Sequence, residues 1–231
     1  GDASAEFGFL IEEIASEDIA VQAPALGWLQ ALRAPISGSL RGGLGSEGEL
    51  LTLSAGLQIG RGVIQPSEET RPVPIQSAHS YFTYYPDQQA LQFDELKVES
   101  GWVSGTMEGR AHLSGIENGR LTELVGQLQF SDLSLNPRDL YDQPLELAGV
   151  GVDFRLEPEP FSLTLGEVLI QDGDSNILLD GKVSAEEAGW TYALNGHVDQ
   201  MSVDRIKELW PAAAPPKPRE WVRDNLYQGT A

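Results

Sequence analysis

The chain has 231 residues, of which 35 are acidic and 15 basic, and a formal charge of −20. Such a charge repels phosphate backbones and anionic bilayer surfaces, so nucleic acid is not an expected partner. There is no cysteine, which removes disulfide scaffolds and thiolate metal sites, and no apolar run approaches the roughly 20 residues that span a bilayer.

A strand-like stretch from Ala5 to Ile11 comes almost at once, with neither an initiating methionine nor a signal peptide before it. The chain is therefore expected to be a segment of a longer protein whose targeting signals lie elsewhere. Ser16 offers a helix start, and Leu26, Leu29 and Leu32 fall on one face of a short amphipathic helix stopped by Pro35. From Ile36 the period changes to two, predicting strands over 36–44 and 51–59 joined by a hairpin at Gly45 to Glu49. Pro66 to Pro74, with Pro72 and two glutamates between them, predicts an exposed extended loop. A hairpin follows, 78–85 returning as 91–98 through a type I turn at Pro86 and Asp87.

Val103 to Leu113 alternates apolar or small residues with polar ones at every step, the pattern of a strand with one buried face. Its phrase, an apolar residue, a spacer, glycine, a spacer and another apolar residue, returns at Ile36–Leu40, Leu179–Val183 and Leu194–Val198. Later strands are expected over 124–130, 145–156, 161–170, 176–184 and 190–198, each bounded by Gly, Pro, Asn or Asp. Short helices opened by Asn136 and Asp204 each follow a strand, and glycine phrases recur about seventy residues apart, which points to a loose repeat. A proline-rich bend over 210–218 leads to a last helix from Pro218 towards Gly229.

The expected fold is mainly β: a long curved antiparallel sheet, groove-like or taco-like, of repeated β units with a few short helices. Residues 1–35 form a lead-in strand and helix, 36–200 the repetitive β region, and 201–231 a helical, proline-rich segment that opens a further repeat.

Motifs that carry chemistry fail in turn. Gly43, Gly45 and Gly48 match G-x-G-x-x-G, but a strand follows where a dinucleotide site needs a helix. Asp172, Asp174 and Asn176 begin like a calcium loop, yet the sixth position is Ile177 and the twelfth Val183. His79, His112 and His197 have no ligand spacing around them, and the acid pairs Glu12–Glu13, Glu68–Glu69, Asp94–Glu95 and Glu186–Glu187 point to opposite faces of their strands. Neither a serine elbow nor a phosphate loop is present. No enzymatic activity, cofactor or metal is expected.

What remains is the apolar register. Ile36, Leu40, Leu53, Leu57, Phe93, Val98, Val103, Met107, Leu128, Phe130, Val152, Phe154, Leu163, Leu165, Leu179, Val183, Leu194 and Val198 all occupy it. Two packed sheets would bury these residues in a sandwich core about 10 Å thick. One long sheet that curls without closing would instead turn them into a trough suited to acyl chains. A non-enzymatic β-sandwich, structural or carbohydrate-binding, is the alternative, with Tyr81, Phe82, Tyr84 and Tyr85 as its stacking platform.

Four segments tip the balance. Ala34–Gly42, Arg71–Pro74 with Ser77–Tyr84, Phe93–Ser100 and Leu209–Val222 resemble the DUF3971 region of large bacterial AsmA-like proteins of the YhdP type. The most specific part is the pattern on Trp210, Pro211, Pro216, Lys217, Arg219, Trp221 and Val222. The resemblance implies a segment of a periplasmic protein, held to the inner membrane by an anchor outside this segment. Its repeated strands would form a groove for phospholipid on the way to the outer membrane. The family brings no catalytic residues, so the apolar register is the candidate site.

Overall fold

A computed structural model describes residues 4–22, 24–118, 120–136, 141, 143–173, 175–210 and 216–225. In chain order the elements are β1 (Ala5–Ala15), α1 (Ser16–Gln22), a 3₁₀ helix (Pro24–Ala31), β2 (Leu32–Arg33), β3 (Pro35–Leu44), β4 (Leu50–Ile59), β5 (Gly62–Ile64) and β6 (Val73–Ile75). Then come β7 (Ser77–Tyr85), a 3₁₀ turn (Pro86–Gln88), β8 (Ala90–Glu99), β9 (Val103–Glu117), β10 (Arg120–Leu135), β11 (Leu145–Leu147) and β12 (Gly149–Pro158). β13 (Phe161–Asp172), β14 (Ser175–Glu186), β15 (Gly189–Val198), α2 (Val203–Leu209) and α3 (Pro216–Asn225) complete the chain.

The protein is mainly β, as its period-two patterning requires. Twelve strands form one open antiparallel sheet in the order β1-β3-β4-β7-β8-β9-β10-β12-β13-β14-β15, with β11 also on β10. Each strand pairs with its neighbour in sequence once β2, β5, β6 and β11 are set aside, and the first three of these make a small sheet of their own. The predicted strand 145–156 is interrupted at Ala148, so β11 and β12 take successive stretches of the same edge of β10.

The large sheet is curled. The Trp190 indole N–H in β15 donates to the Arg71 carbonyl at 2.8 Å. Arg71 lies six residues before the start of β7, a reach of at most about 22 Å. Seven strand spacings separate β7 from β15, about 34 Å in a flat sheet. Only bending brings them together. Trp190 shares a face with Tyr192 and Leu194, so the loop crosses on that side and makes it the concave one.

Both buried clusters lie on the concave side, along one margin of the sheet. Ala20, Leu29 and Leu32 pack with Ala34, Ile36 and Ile75, beside Leu57 and Ile59. Met201, with Ile206 and Leu209 of α2, packs on Leu133, Leu147, Val150, Val168, Ile170 and Ile177. α2 is capped by the Ser202 hydroxyl, which accepts from Arg205 N–H at 3.2 Å, and not by Asp204 as its sequence predicts. Arg205 then grips both carboxylate oxygens of Asp172 at 2.6 and 3.1 Å, and these hydrogen bonds raise the guanidinium pKa further.

The segment predicted as an amphipathic helix is a 3₁₀ helix with Leu29 buried and Leu26 exposed. Spacing by three repeats every turn in a 3₁₀ helix but drifts around an α-helix. The predicted exposed loop 66–74 keeps Glu68, Glu69 and Arg71 in water but buries Thr70, whose hydroxyl donates to the Ser67 carbonyl at 2.7 Å. The helix predicted after Asn136, the bend over 211–215 and the end near Gly229 fall outside the described residues. α3 starts at Pro216, two residues earlier than its predicted Pro218.

Ser16 ties the helical cap to the sheet. It is fully buried; its hydroxyl donates to the Leu32 carbonyl and accepts from Ala34 N–H at 3.3 Å. Ser16→Ala would leave both backbone groups without this partner, and a loss of about 1–3 kcal/mol is expected in a denaturant titration.

A candidate apolar groove

Cross-strand register resolves the concave face into rows that run the width of the sheet. One row reads Phe9, Leu40, Ala55, Phe82, Phe93, Gly109, Leu128, Val152, Val168, Leu179 and Gly196, each residue directly opposite the next. The row towards the helical margin reads Ile11, Gly38, Leu57, Ser80, Leu96, Met107, Phe130, Val150, Ile170, Ile177 and Val198. The row on its other side reads Phe7, Gly42, Leu53, Tyr84, Leu91, Ala111, Gly126, Phe154, Leu165, Gly181 and Leu194. A shorter row, Ile14, Ile36, Ile59, Ala78, Val98, Gly105, Leu133 and Leu147, lies under the helices.

These four rows contain no charged side chain; only Ser80 and Tyr84 bring an oxygen, and the Ser80 hydroxyl is buried without a hydrogen-bond partner. The convex face is its complement. There the row beside the first reads Arg41, Ser54, Thr83, Gln92, Arg110, Gln127, Asp153 and Glu167. Lys97 pairs with Glu99 at 3.0 Å on that face, and Lys97 and Ser77 together hold the Glu99 carboxyl below the usual range. His79, His112 and His197 also point to this side, since each lies between two concave-face residues.

All the apolar-register residues named from sequence stand on the concave face. Ile36 is the exception in burial, being 3% exposed in the closed cluster under the helices. Leu194 and Val198, on the edge strand, are exposed at 56% and 39%. The others, including Leu40, Leu53, Phe93, Met107, Leu128, Val152, Phe154, Leu163, Leu179 and Val183, are half-buried. A core between two sheets would bury them completely. The chain exposes 14127 Å², against about 10,300 Å² for a compact protein of its mass. The excess fits an open trough.

The recurring glycine phrase has a packing role. At Gly181 an added Cβ would meet the Leu194 Cδ2 at 2.7 Å, at Gly196 the Leu179 Cδ2 at 3.0 Å, and at Gly105 the Leu133 Cδ1 at 3.3 Å. Each glycine is a slot that a leucine of the neighbouring strand fills, which keeps the apolar face smooth across the slot.

Sequence reasoning missed Phe7, Phe9 and Ile11 of β1, although their alternation was visible, and it grouped Phe82 and Tyr84 with Tyr81 and Tyr85. Strand geometry separates that group: Phe82 and Tyr84 enter the concave face, while Tyr81 and Tyr85 point to the other. No four-ring platform exists on either side. Phe82 packs instead on Phe93, ring centroids 6.0 Å apart.

At the margin away from the helices an open cleft of about 820 Å³ lies where β1, β3, β4 and the turn after β7 end. Its lining is mixed: Phe7 and Gly42 stand on the concave register, while Glu6, Arg41 and Tyr85 stand on the convex one. Among the described residues no three His, Asp or Glu side chains gather as metal ligands, and Asp172 of the calcium-like stretch is taken by Arg205; Asp174 lies outside those residues. Comparison with protein-family models, curated proteins and solved structures finds no match to the chain.

Proposed function

We propose that the chain is a segment of a periplasmic lipid-handling protein of the AsmA-like, DUF3971 kind, anchored to the inner membrane through a part outside this segment. Its concave face takes phospholipid acyl chains and supports their passage between inner and outer membrane. The observation that carries this reading is an uncharged apolar face, continuous over eleven strands, with its buried clusters along one margin and the Arg71 loop clasped to Trp190 on the same side.

Such a face left in water is unfavourable by about 2.5 kcal/mol for every 100 Å² that an acyl chain could cover. No charge in the rows pins an acyl chain at one position along the trough, as passive sliding requires. Headgroups remain at the margin away from the helices, in water. The mechanism needs no proton transfer, nucleophile or metal.

Protein prepared without detergent is expected to yield phospholipid on organic extraction, and native mass spectrometry to show species heavier by whole lipid molecules. Delipidated protein should take up phospholipid again from neutral vesicles. If extraction yields none and vesicles donate none, the groove reading is wrong.

A further inference from the structure

A segment between β5 and β6 reaches from the helical margin of the trough to the opposite one. Its root lies under the helical cap, where Ile64 and Ile75 pack with Leu29, Leu32 and Ile36, and Gln65 N–H donates to the Ala31 carbonyl at 2.7 Å. Its tip ends on Trp190. Trp190 stands opposite Ala185, eight residues along β15 from Val198 and so about 26 Å from the end of the strand that lies beside α2. Residues 65–71 therefore form a strap across the mouth of the trough.

The strap is folded on its own account. The Gln65 side-chain amide donates to the Thr70 carbonyl at 2.9 Å, the Thr70 N–H and hydroxyl donate to the Ser67 carbonyl at 3.2 and 2.7 Å, and Ser67 N–H donates to the Thr70 hydroxyl at 3.3 Å. None of these bonds involves β15. The attachment to β15 is of another kind: the Trp190 indole N–H donates to the Arg71 carbonyl at 2.8 Å in an exposed position, and the Glu69 carbonyl sits where a Cβ on Gly189 would meet it at 3.5 Å. Phe161 packs edge-on against the indole, ring centroids 5.5 Å apart and planes at 89°, and so fixes it as a post. A hydrogen bond between neutral groups at the surface gives way far more readily than the anchored root. Residues 65–71 also contain no aromatic, Leu, Ile, Val or Met side chain, so releasing the tip draws no large apolar group of the strap into water.

We propose that residues 65–71 are a latch on the trough. Clasped to Trp190, the strap joins both margins and holds an acyl chain beneath it; released, it lets a phospholipid enter or leave sideways. This gate rests on the groove reading and adds to it a control of lipid exchange. A latch of this kind changes the rates of entry and exit together and leaves the amount of lipid bound at equilibrium the same.

Glu69 and Ala188 are exposed residues beside the clasp, and the chain has no cysteine of its own. The double variant Glu69→Cys with Ala188→Cys, bridged by a short reducible thiol cross-linker, is expected to exchange pyrene-labelled phosphatidylcholine with neutral vesicles at least ten-fold more slowly than the same protein after reduction. Trp190→Phe keeps a ring on Phe161 and removes the donor. Its exchange should be about three- to ten-fold faster than that of the unaltered chain, with the lipid bound at equilibrium within two-fold. Equal rates in bridged and reduced protein, or a Trp190→Phe variant no faster than the unaltered chain, would each overturn the latch and leave the groove standing. A Trp190→Phe variant that binds much less lipid at an unchanged thermal midpoint would also overturn it, making Trp190 part of the lipid site instead of its gate. If neither the unaltered chain nor the reduced variant takes up phosphatidylcholine at all, the groove reading fails and the latch falls with it.

Discussion

Met107→Glu and Phe154→Glu are each expected to cut co-purifying phospholipid at least ten-fold while leaving the sheet folded. Both side chains are half-buried on the concave face, Met107 between Leu96 and Phe130 and Phe154 between Gly126 and Leu165. A carboxylate there can still reach water in the empty trough, so the cost to stability should stay near 1–2 kcal/mol. With an acyl chain in place the same carboxylate must be desolvated or the chain displaced. A penalty of only 1.4 kcal/mol already gives the ten-fold loss. In a closed core, glutamate at these positions would cost 3–5 kcal/mol or more and unfold the protein.

Two measurements separate these cases: phospholipid per protein after extraction, and the thermal midpoint. Met107→Leu serves as the volume-conserving control and should retain both lipid and midpoint. Ile36→Glu provides the opposite reference. Ile36 belongs to the closed cluster beneath α1 and the 3₁₀ helix, so its charge has no route to water and the variant should lose the fold. If Met107→Glu behaves like Ile36→Glu, the concave face is an ordinary core.

Period two made the strands and their inner faces legible from sequence, and the reason is mechanical: successive residues of a strand must point to opposite sides. Bulges were not legible. Phe93 and Val98 stand on one face although they are an odd number of residues apart, because β8 shifts register between Phe93 and Leu96. β13 likewise brings Leu165 and Val168 to the same side through a shift between them, so Val168 was overlooked while Leu163 and Leu165 were found. Such a shift leaves no local signature when its extra residue is polar.

The small sheet of β2, β5 and β6 was invisible for another reason. Two- and three-residue strands carry no period, and their pairing depends on where α1 and the 3₁₀ helix carry the chain. The clasp between Trp190 and Arg71 joins residues 119 apart in sequence, and it is what shows which side of the sheet is concave. Ser16 was legible as a helix start but not as a buried tether, since its partners at Leu32 and Ala34 lie beyond the 3₁₀ helix. Glycine in the repeated phrase was legible as a place without a side chain, which left its leucine neighbour to be supplied by cross-strand register.

Gly109→Ala is expected to lower the thermal midpoint by about 10 °C or to prevent folding. Gly109 sits midway along the trough between Phe93 and Leu128, at φ 153°. An L-residue held in such a conformation costs about 1–3 kcal/mol by itself. The added Cβ would also fall on the Gln127 carbonyl and 2.9 Å from the Leu128 Cα, both backbone atoms of the adjacent strand that cannot swing aside. Together these terms amount to about 3–4 kcal/mol, and at about 2–4 °C per kcal/mol for a chain of this size they give the stated shift. Gly101→Ala is the control: its Cβ would meet nothing within 4 Å, so its midpoint should move by less than about 2 °C. Because β9 and β10 approach this closely at the centre of the sheet, the strands flanking Gly109 cannot separate without opening the row from Phe9 to Gly196. A variant that kept its midpoint would mean that these two strands yield to a methyl group, and the smooth central row of the groove would not depend on glycine.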